Sequence, residues 1–233
     1  MTSPIILAVD TPDISIAHQW IEATRKSVSV YKLGLEFFLT YGARGVSEIQ
    51  DRHGVEIFLD LKLHDIPNTV AHAAKAISGI NPRFLTVHAS GGSEMVRAAA
   101  TAVPHIDITA VTILTSISEE ELFKIGFAHP PLESAVALAK LSVDAGAKAI
   151  VSSPLEITAI RSVIGDSAKI ITPGVRPSSS HSTDDQVRTM TPEAAIAAGA
   201  DYVVIGRPIT GQWSNGPEAM EDAAEEILHA IGV

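Results

Sequence analysis

The chain has 233 residues, 46% of them apolar, with a net charge of −10 and no cysteine. That size admits one large domain or two small ones. The acidic balance argues against non-specific nucleic-acid binding, which needs a basic face, and the lack of cysteine excludes disulfides and thiolate catalysis. Met1-Thr2-Ser3-Pro4 has no basic region, and the apolar run behind it stops at Asp10, so no signal peptide is expected. No apolar stretch approaches the roughly 18 residues of a membrane span. A soluble, cytoplasmic protein with no membrane association is the expectation.

Short β-branched runs alternate with Ala-rich helical patterns throughout. Ile5 to Val9 reads as the first strand, closed by Asp10, with a helix from Asp13 to about Lys26. Val28 to Leu33 is the second and contains Lys32; a helix from about Glu36 to Arg52 follows. The third strand, Ile57 to Lys62, gives way at Pro67 to a helix reaching about Ser78. Phe84 to Val87, ended by His88, is the fourth, with a helix from Gly92 to about Val103. Ile106 to Ile113 is the fifth, followed by a polar helical segment and a helix from about Glu133 to Ala145. Ala149 to Val151, ended by Ser152, is the sixth, with a helix from about Pro154 to Ile164. Lys169 to Thr172 is the seventh, then a long polar loop and a helix near Pro192 to Ala198. Tyr202 to Ile205 is the eighth, and a helix from Pro217 to Ile231 ends the chain.

Eight strand-helix units with apolar, parallel-type strands predict a single (β/α)8 TIM barrel spanning residues 1–233. An open doubly wound sheet is the alternative, weakened because no G-x-G-x-x-G follows the first strand.

In a barrel, function gathers at the C-terminal strand ends. Those positions hold Asp10, Lys32, Asp60, Lys62 with Asp65, His88, Thr112 with Thr115, Ser152, Pro173-Gly174-Val175-Arg176 and Gly206-Arg207. Alternation along the third strand turns Asp60 and Lys62 to the face of Phe58, and Ile57, Leu59 and Leu61 to the other. Two carboxylates and an ammonium at one strand end are costly to desolvate unless matched or used. Lys32 alone would read as a snorkelling surface group; beside Lys62 and three aspartates it joins the cluster.

Gly174 and Gly206 allow close backbone approach, and Arg176 and Arg207 supply planar cationic forks suited to phosphate. The loops after strands seven and eight are the usual phosphate site of a barrel. The polar stretch from Pro177 to Gln186 then reads as a lid over that site, with Gln186 reaching the ligand. Nine histidines show no tight metal-ligand spacing; His64 and His88 read as hydrogen-bonded structural residues. No G-x-S-x-G elbow supports serine hydrolysis.

The run Asp60-Leu61-Lys62-Leu63-His64-Asp65-Ile66-Pro67-Asn68-Thr69 resembles the D-x-K-x-x-D-I-P-N-T signature of orotidine 5′-phosphate decarboxylases. Supporting blocks follow in the family's order: Leu7-Ala8-Val9-Asp10, Tyr31-Lys32-Leu33-Gly34, Thr86-Val87-His88-Ala89, Val111 to Ser116, Thr172 to Pro177 and Ile205 to Ile209. The resemblance implies decarboxylation of orotidine 5′-monophosphate to uridine 5′-monophosphate, the last step of UMP biosynthesis, without cofactor or metal. It implies a homodimer with shared active sites. Lys32, Asp60, Lys62 and Asp65 would form an alternating charged tetrad, with Asp65, Ile66 and Thr69 serving the neighbouring subunit's site. Asp10 and Lys32 would hold ribose hydroxyls. Thr115, with Ser116 nearby, would lie against the pyrimidine. Arg176, Gln186, Gly206 and Arg207 would bind the phosphate. The segment after Arg176 carries Ser-Ser-Ser-His where many relatives have a glycine.

The chemistry suits these residues. Loss of CO2 from C6 leaves a carbanion that needs a positive charge and then a proton, and Lys62, held between Asp60 and Asp65, can supply both. Rival readings are a Mg²⁺-dependent sugar-phosphate decarboxylase or aldolase on the same scaffold, which has a glutamate where Lys32 stands, and a catalytically silent nucleotide-binding barrel.

Overall fold

The computed structural model describes residues 3–177 and 190–232. Eight parallel strands, each hydrogen-bonded to the next and β8 to β1, close into a barrel. They are β1 (Ile5–Ala8), β2 (Val30–Leu33), β3 (Glu56–Leu63), β4 (Phe84–His88), β5 (Asp107–Val111), β6 (Ala149–Val151), β7 (Lys169–Thr172) and β8 (Tyr202–Ile205). Around them run α1 (Ile14–Thr24), α2 (Leu35–His53), α3 (Pro67–Ile77), α4 (Gly92–Ala102), α5 (Glu119–Lys124), α6 (Pro131–Asp144), α7 (Ile157–Ile164), α8 (Pro192–Ala197), α9 (Arg207–Thr210) and α10 (Pro217–Ile231). The predicted barrel is therefore the observed one.

Local sequence explains the element ends. Asp13 lies outside α1 as its N-cap and accepts the Ser15 and Ile16 N–H groups, so the helix starts one residue later than predicted. Pro67, Pro131, Pro192 and Pro217 open their helices, where a missing N–H costs nothing. Some expected bounds shift. The fifth strand, Asp107–Val111, is shorter than Ile106 to Ile113; just beyond it the Thr112 N–H and hydroxyl both donate to the Val151 carbonyl at 3.1 Å. The helix expected from Pro154 begins as a 3-10 turn, Pro154–Glu156, before α7. The short helix α9, directly after Gly206, has no signal in the sequence pattern: four residues carry no readable period.

Strand alternation sorts the core into two layers. Tyr31, Ile57, Leu59 and Leu85 face the helices, while Ile6, Val30, Phe58, Phe84 and Tyr202 fill the barrel. Burying each large apolar side chain contributes roughly 1.5–3 kcal/mol. The inner aromatics form a plug: Phe58 packs edge-on to Phe84, and Phe84 to Tyr202, each pair with centroids 5.7 Å apart. Below it, the Arg83 guanidinium lies over the Phe84 and Tyr202 rings, donates to Tyr202 Oη and pairs with Glu56. The N-terminal end of the barrel is thus filled, and polar groups collect at the other end. No helix among the described residues is long and apolar enough to cross a membrane.

Candidate active site

At the C-terminal mouth, four charged side chains from three strands form one alternating line. Asp10 follows β1, Lys32 lies in β2, and Asp60 and Lys62 lie in β3. Lys32 Nζ donates to Asp10 Oδ1 at 2.9 Å and stands 4.0 Å from Asp60 Oδ2. Lys62 Nζ donates to the same Asp60 oxygen at 2.7 Å. The order Asp10–Lys32–Asp60–Lys62 alternates in sign, so each inner charge sees an opposite charge on both sides. Burial deepens toward the middle: the Lys32 and Asp60 side chains are 13% exposed, Asp10 63%. In that half-buried setting the Lys32–Asp60 and Asp60–Lys62 pairings are worth more than at a free surface. Gly34, at the N-cap of α2, leaves this pair uncovered, since a Cβ there would lie 3.4 Å from Lys32 Nζ.

The strand geometry behind this line is irregular. β3 pairs with β4 at Phe58↔Phe84 and Leu59↔Leu85, then resumes only at Leu63↔Val87. Lys62 sits inside that bulge at φ 49, the left-handed region that lysine rarely visits. Its N–H donates to Thr86 Oγ1 at 2.7 Å, and that hydroxyl donates to Asp60 Oδ1 at 2.9 Å. Thr86 is fully buried. Reading only the strand ends passes over it, although an inward-facing hydroxyl in the apolar run Phe84 to Val87 is a readable signal.

His88, at the end of β4, meets His64 ring to ring with centroids 5.4 Å apart. The two rings are tilted 40° to one another, a side-chain contact between the ends of β3 and β4. Burial pushes the His88 imidazole below its ordinary pKa, the neighbouring His64 and Lys62 push the same way, and Asp60 opposes. A neutral imidazole therefore flanks the Lys62 ammonium at neutral pH. No group of three or more potential metal-ligating side chains occurs among the described residues.

Asp65 does not join the line within this chain. It lies beyond β3, exposed, and its Oδ1 accepts the Ile66 N–H at 2.6 Å. The whole run from His64 to Thr69 is exposed, Ile66 at 66%. Within one chain the tetrad read from the motif is thus a triad, Lys32–Asp60–Lys62, extended by Asp10. The reason is geometric: the backbone turns into α3 at Pro67 and carries Asp65 away with it.

On the other side of the mouth, Gly174 follows β7 at φ 78, a conformation glycine adopts without strain. Arg176 comes two residues later, and its N–H donates to the Met190 carbonyl at 3.0 Å beside a Val175↔Met190 bridge. That bridge ties the two ends of the polar segment at its base. The lid expected from Pro177 to Gln186, and Gln186 itself, fall outside the described residues. Gly206 and Arg207 follow β8, with Arg207 exposed at the first position of α9. Thr115 and Ser116 occupy the turn between β5 and α5, Thr115 half-buried and Ser116 exposed. Thr112 and Ser152, also named at strand ends, are buried.

Comparison with known proteins agrees with this arrangement. Residues 3–223 match the family described as orotidine 5′-phosphate decarboxylase / HUMPS. The chain is 48% identical to an orotidine 5′-phosphate decarboxylase of Thermobifida fusca, over 97% of this chain and 96% of that one. It is 46% identical to the protein of the same name from Wolbachia pipientis, covering 98% and 99%. The crystal structure of orotidine 5′-phosphate decarboxylase from Lactobacillus acidophilus superposes with a TM-score of 0.84 at 32% identity, covering 99% of this chain and 100% of that one. With its closed barrel and its charged line at the mouth, this chain belongs to the orotidine 5′-phosphate decarboxylase / HUMPS family.

Proposed function

We propose that this chain removes CO2 from orotidine 5′-monophosphate to give uridine 5′-monophosphate, as a carboxy-lyase of pyrimidine biosynthesis. The observation that carries the reading is the alternating Asp10–Lys32–Asp60–Lys62 line, which ends on an ammonium at the barrel mouth.

The chemical step needs little else. The bond between C6 and the carboxylate breaks, its electron pair stays on C6, and CO2 leaves. A proton then passes from Lys62 Nζ to C6, and solvent reprotonates the amine. An ammonium fixed before the reaction stabilises the carbanion as its charge develops, with no reorganisation to be done at that moment. Asp60 holds it, and the hydrogen bond at 2.7 Å sets its direction. Asp10 and Lys32 offer an acceptor and a donor for ribose hydroxyls.

Arg176 and Arg207 take the phosphate, with the Gly206 backbone alongside. They follow β7 and β8, so the phosphate and the reacting carbon are gripped from different sides of the mouth. Binding energy from the phosphate can then support the chemical step at C6. Thr115 and Ser116 border the pyrimidine, and Gln186 belongs to the phosphate end.

The reading includes a homodimer. Asp65, Ile66 and Thr69 would complete the site of a second copy, with Asp65 approaching Lys62 from the side opposite Asp60. The support is the exposed run from His64 to Thr69, together with exposed Leu35 and Leu39 at the start of α2.

The decisive experiment is the loss of ultraviolet absorbance of orotidine 5′-monophosphate with purified protein. Turnover is expected. No turnover with tight binding of uridine 5′-monophosphate would leave a silent nucleotide-binding barrel instead.

A further inference from the structure

The bulge in β3 leaves Lys62 in a backbone conformation that its own side chain does not favour, and it also breaks the ladder to β4. Between the pairs Leu59↔Leu85 and Leu63↔Val87, three residues of β3 face a single residue of β4, Thr86. Thr86 is thus the one residue of that stretch of β4 without a registered partner in β3, although it pairs with Thr109 of β5 on its other side. Its hydroxyl occupies the gap. It accepts the Lys62 N–H at 2.7 Å and donates to Asp60 Oδ1 at 2.9 Å. The direction is fixed by proton counting: a backbone N–H only donates, so the hydroxyl proton goes to the carboxylate.

These bonds close a ring. Lys62 N–H binds Thr86, Thr86 binds one oxygen of Asp60, and the other oxygen of Asp60 binds Lys62 Nζ. One hydroxyl therefore holds the backbone end of Lys62 directly and its ammonium end through Asp60. With Thr86 fully buried, water cannot substitute for it.

We propose that Thr86 is the positioning residue of this site: its hydroxyl holds Lys62 in the left-handed bulge and orients Asp60, and so sets where the ammonium proton stands. The inference rests on the reading of Lys62 as the proton donor. Displacements of about 1 Å can cost about a hundredfold in rate, so losing the hydroxyl should act on the chemical step.

The test compares Thr86→Val, which keeps the shape and loses the hydroxyl, with Thr86→Ser, which keeps the hydroxyl. Thr86→Val is expected to lower kcat about tenfold to a hundredfold, with KM within about threefold, because the phosphate-binding arginines are untouched. Thr86→Ser should recover most of the loss. If Thr86→Val does not fold, Thr86→Ala supplies the same deletion. Amide hydrogen exchange at Lys62 gives a readout independent of turnover: it should accelerate about tenfold or more in the hydroxyl-free variants and not in Thr86→Ser. Wild-type kcat in Thr86→Val, an equal loss in KM, or unchanged Lys62 exchange would each overturn the proposal. If the wild-type protein has no decarboxylase activity, the functional reading fails by itself, and the exchange measurement still decides whether Thr86 holds Lys62.

Discussion

Lys62 and Asp65 stand three residues apart in the sequence and do not pair in the fold. The Lys62 ammonium binds Asp60, whereas the Asp65 carboxylate accepts the Ile66 N–H and faces solvent. An exposed aspartate bonded to its own neighbouring backbone is spare in a monomer. The proposed dimer gives it work, by placing it against the Lys62 of a second copy.

Complementation tests that placement. Lys62→Ala and Asp65→Ala should each be nearly inactive alone. After mixing and subunit exchange, half of the dimers carry one intact site, with Lys62 from one chain and Asp65 from the other. Recovery should approach about a quarter of wild-type activity by symmetry. No recovery, with exchange verified by differently tagged chains, would place Asp65 in its own chain's site.

Lys62→Ala should fold normally and lose at least about 10²–10⁴-fold in kcat, the usual worth of a positioned proton donor. Binding of uridine 5′-monophosphate should change much less. A kcat near wild type would remove Lys62 from the mechanism.

Arg207→Ala should weaken binding of uridine 5′-monophosphate by about 1.5–3 kcal/mol, the range for a hydrogen bond to a charged group. That is roughly tenfold to a hundredfold in Kd. Uridine, which lacks the phosphate, should bind both proteins alike; an equal loss for uridine would place Arg207 elsewhere in the site. Isothermal titration with the two ligands separates these outcomes.

Acid should destabilise the fold through a histidine pair remote from the mouth. His18 in α1 and His53 in α2 share a hydrogen bond of 2.8 Å, and His18 Nε2 meets Glu48 at 3.2 Å. Glu48 only accepts, so His18 donates from Nε2 and takes the His53 N–H at Nδ1. Burial lowers the His53 pKa, His18 and Arg52 lower it further, and Glu22, near its Nδ1, opposes them. The folded chain therefore binds this proton less readily than the unfolded chain does. The contribution of His53 is complete above the ordinary pKa of 6.5 and is lost as pH falls below it. His88, lowered in the same direction, adds to the effect. The midpoint of thermal unfolding should fall between pH 8 and pH 5.5, and His53→Gln should flatten that slope. A midpoint that rises on acidification would refute the assignment.

Much of this protein is written locally. The eight strands follow from short apolar runs, and the two faces of the third from alternation along it. The charged line follows from polar residues placed where apolar runs end, so Asp10, Lys32, Asp60 and Lys62 can be named from the sequence alone. Pro67 and Asp13 mark helix starts because their effects act within a few residues. Closure of the barrel decides the rest. That β4 slips against β3, that Lys62 takes a left-handed backbone, and that Thr86 fills the resulting gap depend on register between strands about two dozen residues apart. No periodicity encodes that register, because it is set by how all eight strands tilt to close the ring. The same holds for Asp65: its spacing from Lys62 suggests a partner, and the turn into α3 takes it to the surface.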